Sequence, residues 1–321
     1  MLFDKFKKND DSIDIIDFNE DEFVTRHEFE KLKRLAETQQ DYLNNLYIFY
    51  ELEPTPFLKG MRELSYELMK FVDNVCAKHD IEYWMDYGTL LGSVRHNAFV
   101  PWDDDLDVGI MRKDYNRLVE ILPEEINQND LPNLIADFKI DKHNFKSKRW
   151  YQLSYKRPEI KAKFIGVDFF PYDYITKWDS DLDEEFNNAL TEYYHNPDEY
   201  TLEEYLDKFY RDFNLTLDKT DMIIPGIDNA RGDIPKYAAY KHILVRTDEI
   251  FPLIKRPFGK YEFPAPQNSV NYIKDIYGLK YMQIPRKIRD HGRLNKFKKR
   301  ENVMEMLDEG IDMLKKANEN Y

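Results

Sequence analysis

Cysteine is almost absent from this chain: Cys76 is the single one in 321 residues. That excludes an intramolecular disulfide and any cysteine-rich zinc site, and it fits a reducing compartment. Glycine is scarce at 11, and three of those (Gly88, Gly92, Gly109) fall in one stretch, Tyr83 to Asp114. Positive charge is in deficit, with 47 basic residues against 61 acidic and a net charge of −14, which argues against a general nucleic-acid binder. No apolar run approaches the roughly 18 residues that a transmembrane helix needs. The N-terminus, MLFDKFKKNDDSIDIID, has no apolar signal core. A cytoplasmic location is therefore expected, with any membrane contact peripheral, at the inner face.

What is present is a globular composition, 42% hydrophobic and 15% aromatic, with 23 tyrosines and 21 phenylalanines. Phe23 to Tyr50 reads as helix, with Phe29, Leu32, Leu35, Leu43 and Leu46 at roughly helical spacing. Pro54 and Pro56 punctuate the chain after it, so residues 1–55 are taken as a helical N-terminal extension. Leu64, Leu68, Phe71, Val72 and Val75 form a second helical stripe, ending near His79. Strands are expected at about 82–87, 105–110, 134–140, 151–155 and 163–170, the last closed by Pro171. Helices are expected over Lys113–Leu122 (stopped by Pro123), Asp181–Tyr194, Leu202–Asp212 and Asn268–Tyr277, with Gly278 as a cap. Residues 215–266 give no clear pattern. The reading is α/β (α+β): a mixed sheet flanked by helices over residues 56–300, with helical additions at 1–55 and 301–321.

The chemistry concentrates in YWMDYGTLLGSVRHNAFVPWDDDLDVGIMRKD, residues 83–114. Asp105 and Asp107 alternate with Leu106 and Val108, so on a strand both acids share one face. Two carboxylates so close raise each other's pKa unless a cation lies between them. Leu91-Gly92-Ser93, eleven residues, then Asp105-Leu106-Asp107-Val108 matches the signature of the nucleotidyltransferase fold, and Val167-Asp168-Phe169 supplies its third acid. On this reading Gly92-Ser93 opens a helix whose N–H groups and hydroxyl hold phosphate. Asp105 and Asp107, assisted by Asp103, hold Mg²⁺ or Mn²⁺, and Asp168 shares the metal or takes a proton. An EF-hand is excluded, because Val108 stands where that loop needs glycine and Asp114 where it needs glutamate. A DxD of a glycosyltransferase using a sugar nucleotide stays open, as does a nucleotidyltransferase that consumes an NTP. A binding module that keeps the fold without turnover is the rival from another class.

The wider match is to a family. Asp86-Tyr-Gly88-Thr89-Leu-Leu-Gly92-Ser93-Val-Arg95-His96, followed by Phe99-Val-Pro101-Trp102-Asp103-Asp104-Asp105-Leu-Asp107, resembles the LicD family of phosphocholine transferases. Gly166-Val-Asp168-Phe-Phe-Pro171-Tyr-Asp173, Phe258 to Pro266, Tyr277-Gly278 and Arg289-Asp290-His291 resemble its later blocks, so the likeness runs from about residue 60 to 295. Residues 1 to about 55 have no counterpart, and the cysteine-based zinc loop of some animal relatives is missing. The resemblance implies transfer of phosphocholine, or a related phospho-alcohol, from CDP-choline or another CDP-alcohol to a hydroxyl of a glycan or its lipid-linked precursor, with CMP released. It implies Asp105, Asp107 and Asp168 as catalytic residues, and Asp103 with them as metal ligands. Gly88, Thr89, Gly92, Ser93, Arg95, His96, Trp102, Lys156, Arg157 and His291 are candidates to contact substrate. Trp102, Tyr87 and Tyr172 are weighed as an aromatic cage for a quaternary ammonium, against a plain role in the core. The basic run Arg286 to Arg300 is weighed as a contact for anionic lipid against a solvated face.

Overall fold

The structure is a computed structural model and describes residues 25–47, 54–143, 146–159, 163–196, 201–229, 243–284, 297 and 300–321. The chain divides into two compact units, residues 1–51 and 52–321. The first contains helix α1 (Arg26–Tyr47). Its start is a reciprocal cap: the Glu28 N–H donates to Thr25 Oγ1 at 3.2 Å and the Thr25 N–H to Glu28 Oε2 at 2.8 Å. Phe29, Leu32 and Leu35 are exposed on this helix.

The second unit opens with α2 (Pro56–Lys78), where the Thr55 side chain accepts the Leu58 N–H and Pro56 needs no donor in the first turn. Its stripe Leu64, Leu68, Phe71, Val72 and Val75 is fully buried, as the spacing predicts. The stripe packs into one core with residues from β1 (Tyr83–Met85), β2 (Leu106–Met111), β3 (Leu134–His143), β4 (Lys146–Tyr155) and β5 (Ile165–Ile175). These strands form a mixed sheet in the order β1-β2-β5-β4-β3, with β2 and β5 parallel and their neighbours antiparallel. Alternation gives the sheet two chemically distinct faces. Leu106, Val108, Val167, Phe169, Leu153 and Tyr151 fill the core side. On the other side one row runs across four strands, because Asp107 pairs with Asp168, Asp168 with Gln152, and Gln152 with Asp137.

Helix α3 (Tyr87–His96) links β1 to the loop before β2, and α4 (Arg112–Gln128) leaves β2. Later come the hairpin β9 (Ile254–Phe258) and β10 (Tyr261–Ala265), then α8 (Ser269–Tyr277). The final helix, α9 (Val303–Asn318), shares the core of α2. A Cβ on Gly60 would lie 3.1 Å from Leu307, and one on Gly310 would lie 2.7 Å from the Tyr155 ring. Among the described residues no helix is long and apolar enough to cross a membrane.

Two prolines do less than the sequence suggests. Pro123 does not stop α4, which runs on to Gln128. The carbonyl it leaves without an N–H partner belongs to Val119, and the Tyr151 hydroxyl donates to it at 3.3 Å. Nor does Pro171 close β5, which continues to Ile175. Antiparallel pairing with β4 ends at Phe169, and pairing with β7 (Met222–Pro225) begins at Tyr172. The proline sits at the change of partner, where that edge demands no donor.

Beyond the switch a second core gathers Ile175, Phe186, Tyr193, Tyr205, Phe209, Phe213 and Ile224. Phe186 and Tyr193 come from α5 (Ser180–His195), Tyr205 and Phe209 from α6 (Leu202–Asp212). Arg112, 3% exposed, fastens this layer to the sheet. Its guanidinium donates to both oxygens of Asp173 at 2.9 and 3.0 Å and to both of Asp228 at 2.8 and 2.6 Å, while Tyr210 of α6 donates to Asp173 at 2.6 Å. Removing one member of such a buried group strands the charges that remain. Arg112→Met should therefore lower unfolding free energy by about 3–5 kcal/mol in urea titration, whereas a loss under 1 kcal/mol would mean the clamp is dispensable.

Candidate functional site

The polar row is built around Asp107. The Asp86 N–H donates to the Asp107 carbonyl at 3.0 Å, the Asp107 N–H donates to Thr89 Oγ1 at 2.8 Å, and the Gly88 N–H donates to Asp107 Oδ2 at 3.2 Å. From the first turn of α3, Gly88 therefore holds the carboxylate and Thr89 the backbone of Asp107. A Cβ on Gly88 would lie 2.6 Å from Asp103 Oδ2 and 3.4 Å from Asp107 Oδ2, so both carboxylates converge over a position that only glycine leaves open. Burial raises the Asp107 pKa well above the usual carboxylate range, and the charges of Asp105, Asp168, Asp103 and Asp86 raise it further.

Asp103, Asp104 and Asp105 bring their carboxylates within 4.8 Å of one another. The sequence reading quoted Asp104 in the motif but did not choose it as a metal ligand, and it is buried. Asp168 lies beside Asp107 in register and accepts from the Gln152 amide, with Lys163 Nζ at 3.9 Å. The donor set fits a hard divalent cation: oxygen ligands only, converging, with one acid whose charge its surroundings resist. Asp103, Asp105 and Asp107 are the residues that would hold it, with Asp168 at the margin.

Beneath this row lies a buried assembly that sequence reasoning missed. Asp86, 0% exposed, caps α3. Its Oδ1 accepts from the Tyr87 N–H at 2.8 Å and from Tyr272 of α8 at 2.9 Å, and its Oδ2 accepts from Tyr172 at 2.6 Å. Tyr172 and Tyr272 lie 2.8 Å apart at their hydroxyls, and Asn229 donates to Tyr87 Oη at 3.4 Å. Tyr87 has φ +37°, which a tyrosine adopts only when its surroundings impose it. Asp86 precedes the glycine turn and was legible as a cap. Its tyrosine partners come from residues 172 and 272, which no local pattern connects.

Several expected contacts fall elsewhere. The helix opens at Tyr87, so Gly92 and Ser93 lie in its second half and do not offer phosphate a free N-terminus. Gly92 serves packing, since a Cβ there would stand 2.3 Å from the Ala98 carbonyl oxygen. Ser93 is fully buried and donates its hydroxyl to the Pro257 carbonyl at 2.9 Å. Thr89, 1% exposed, likewise faces Asp107 and not solvent. Tyr87 and Tyr172 spend their hydroxyls in the Asp86 assembly, so they make no open aromatic cage with Trp102. Arg157 is tied to Glu159 and to Glu309 of α9. Lys156 lies near Lys139 and Asp137. Lys156 thus meets the Asp137 end of the polar row, and neither cation pairs with Asp107 or Asp168 among the described residues. His291 and most of the basic run lie outside the described residues.

Around the acidic loop, Arg95 lies over the half-buried Trp102 ring at 5.7 Å. Arg62 of α2, absent from the sequence reading, donates to the carbonyls of Val100 and Pro101 at 3.2 and 2.9 Å and anchors the loop that delivers Asp103 to Asp105. Burial, with Arg95 and Arg62 adding to it, pushes the His96 pKa down to about 4, so this imidazole is neutral near pH 7.

These residues coincide with a known domain. Residues 80–208 match the family model described as LicD/FKTN/FKRP, nucleotidyltransferase domain. This stretch matches the LicD-family domain. The chain is 48% identical over 68 residues to the uncharacterized protein RP689 of Rickettsia prowazekii, covering 21% of this chain and 26% of that one. It is 32% identical over 71 residues to the lipopolysaccharide cholinephosphotransferase LicD of Haemophilus influenzae, covering 22% and 27%. With the human ribitol 5-phosphate transferase FKRP it shares 26% identity over 126 residues, covering 38% and 23%. The matches thus span about a quarter of the length of these curated relatives. The LicD domain holds Asp86, the acidic loop, Asp107, Gln152, Lys163 and Asp168, while Tyr272 lies beyond it.

Because the folded state makes Asp107 harder to ionise than the unfolded chain does, the folded protein binds more protons over that interval, and metal-free stability should fall as pH rises through it. Asp107→Asn should flatten this dependence and stabilise the metal-free protein at neutral pH, as read by urea unfolding across pH; an unchanged slope would place the titration elsewhere. Gly88→Ala gives a second check. Alanine favours a helix by up to about 1 kcal/mol, yet its methyl must displace the Asp103 carboxylate. Calorimetry should find Mg²⁺ binding weakened at least about tenfold in a variant whose melting temperature has not fallen.

Proposed function

We propose that this chain transfers phosphocholine, or a related phospho-alcohol, from a CDP-linked donor to a hydroxyl of a cell-surface glycan or its lipid-linked precursor. The observation that carries the reading is the in-register pair Asp107–Asp168 on two parallel strands, with Asp103 and Asp105 at the entry to the first. Supporting it, the matched domain spans all four acids, and two relatives are named a cholinephosphotransferase and a ribitol 5-phosphate transferase.

Asp103, Asp105 and Asp107 would hold Mg²⁺ or Mn²⁺. The bound ion would neutralise the phosphate oxygens of the donor. Asp168 faces the same space and takes the proton of the acceptor hydroxyl. That oxygen forms a bond to the phosphorus bearing the alcohol, the bond from this phosphorus to the bridging oxygen breaks, and CMP leaves with the bonding pair. Gln152 donates its amide N–H to Asp168 Oδ1, which leaves Oδ2 as the oxygen to take the hydroxyl proton. Such transfer rests on positioning and charge neutralisation, which the acidic row and its backbone donors supply. The acceptor class suits a protein at the inner face of a membrane, in peripheral contact with it.

The decisive experiment incubates the protein and Mg²⁺ with CDP-choline, CDP-ribitol, CDP-glycerol, CTP and UDP-sugars, together with glycan acceptors, and follows the leaving nucleotide. CMP from a CDP-alcohol is expected. Pyrophosphate from CTP would favour a nucleotidyltransferase, UDP from a sugar nucleotide a glycosyltransferase, and no turnover at all a binding module. Asp168→Asn should keep the fold and donor affinity while reducing turnover by about 10²–10⁴-fold. A variant that unfolds while its surviving folded fraction keeps full turnover would sink the role of Asp168.

A further inference from the structure

We propose that Lys163 binds the donor's phosphate, its ammonium forming the cationic pole of the site opposite the metal-binding acids; this rests on the reading above. Lys163 lies just before β5 and folds back along the sheet. A Cβ on Gly166 would sit 3.1 Å from Lys163 Nζ, so the missing side chain at 166 is what gives the ammonium its place. Gly166 is two residues from Asp168 and therefore on the same face. The ammonium thus lies one pleat from the Asp107–Asp168 row, 3.9 Å from Asp168 Oδ1.

The floor beside it is rigid. Gln152 and Ser154 are 1% and 0% exposed. The Ser154 hydroxyl donates to Gln152 Oε1 at 2.7 Å, which fixes the amide so that its nitrogen faces Asp168. The Lys163 and Asp168 side chains remain 24% and 14% exposed, so both reach solvent beside the acids.

A salt bridge made for stability would close to hydrogen-bond distance, about 2.7–2.9 Å between charged groups. This pair does not, and partly exposed ion pairs contribute little to folding in any case. The partly exposed ammonium stands beside the acids, where it can meet an anion that also touches their cation. Lysine suits that task as a compact charge with three donors that can follow a phosphate through transfer. The acids bind cations and repel the donor, and Lys163 does the reverse. Its removal must therefore act on the two ligands with opposite sign.

The test uses the full chain with Lys163→Met, which keeps most of the bulk, and Lys163→Arg, which keeps the charge. Calorimetry with Mn²⁺ alone should show the methionine variant binding metal several-fold more tightly than wild type. In the presence of Mg²⁺, its affinity for CDP-choline and for inorganic pyrophosphate should fall at least tenfold, with KM for the donor rising to match. Lys163→Arg should recover most of the anion affinity, and melting temperatures should stay close to wild type. Unchanged affinities in Lys163→Met, or a joint loss of metal and anion binding with a lowered melting temperature, would overturn the proposal. Should the wild type turn over no CDP-alcohol yet bind pyrophosphate, the same opposed shifts would uphold Lys163 as an anion site while the donor assignment fails. Wild-type turnover that is insensitive to Lys163→Met would reject Lys163 and leave the donor assignment standing.

Discussion

Everything in the larger unit answers to one electrostatic constraint: two aspartates, Asp107 and Asp168, stand side by side on adjacent parallel strands. Parallel neighbours lie about 4.8 Å apart, and at that spacing two carboxylates oppose each other's ionisation. The protein meets the strain with directed donors. The α3 backbone reaches Asp107 through Gly88, and the Gln152 amide reaches Asp168, with the Lys163 ammonium 3.9 Å away. Each donor has its own support, whether Ser154 behind Gln152 or Asp86 behind the first turn of α3. On the proposed function, the residual excess of negative charge is what would draw a divalent cation to this row.

How much of this could be read from the sequence depended on the range of the interaction that decides each feature. Alternation put Asp107 on the face away from the buried Leu106 and Val108, and the single acid among bulky neighbours in Val167-Asp168-Phe169 marked the adjacent strand, because both signals are local. The α2 stripe was legible for the same reason. The prolines misled because their effects were settled at a distance, by the Tyr151 hydroxyl on the Val119 carbonyl and by the change of strand partner at Pro171. Ser93 looked like a phosphate ligand until Pro257, 164 residues away, took its hydroxyl. Gln152 and Lys163 had no motif of their own and needed the antiparallel register of β4 against β5 to reveal them.

The Asp86 assembly shows how strain is stored near the cleft. A fully buried carboxylate is costly unless hydrogen bonds hold it. Here the α3 N-terminus and two tyrosine hydroxyls do so. The same bonds hold Tyr87 at positive φ, a conformation worth of order 1–3 kcal/mol of strain, and that backbone turn aims the Gly88 N–H at Asp107. Tyr272 comes from α8, so a helix remote in sequence sets the aim of the acidic row.

The Arg112 clamp has a consequence for how such a chain can be divided. Its guanidinium belongs to the first residue of α4, directly after β2, its partners to β5 and to the turn after β7, and the hydroxyl that completes it to α6. The α5–α6 layer looks like an appendage that could be trimmed or exchanged. It is instead soldered to the strands that carry the acids, since a cut on either side would bury an unneutralised ion. A fragment engineered to keep the cleft alone would have to replace that ionic joint with an apolar one, and the smallest unit that keeps the acids in register is larger than the motif that announces them.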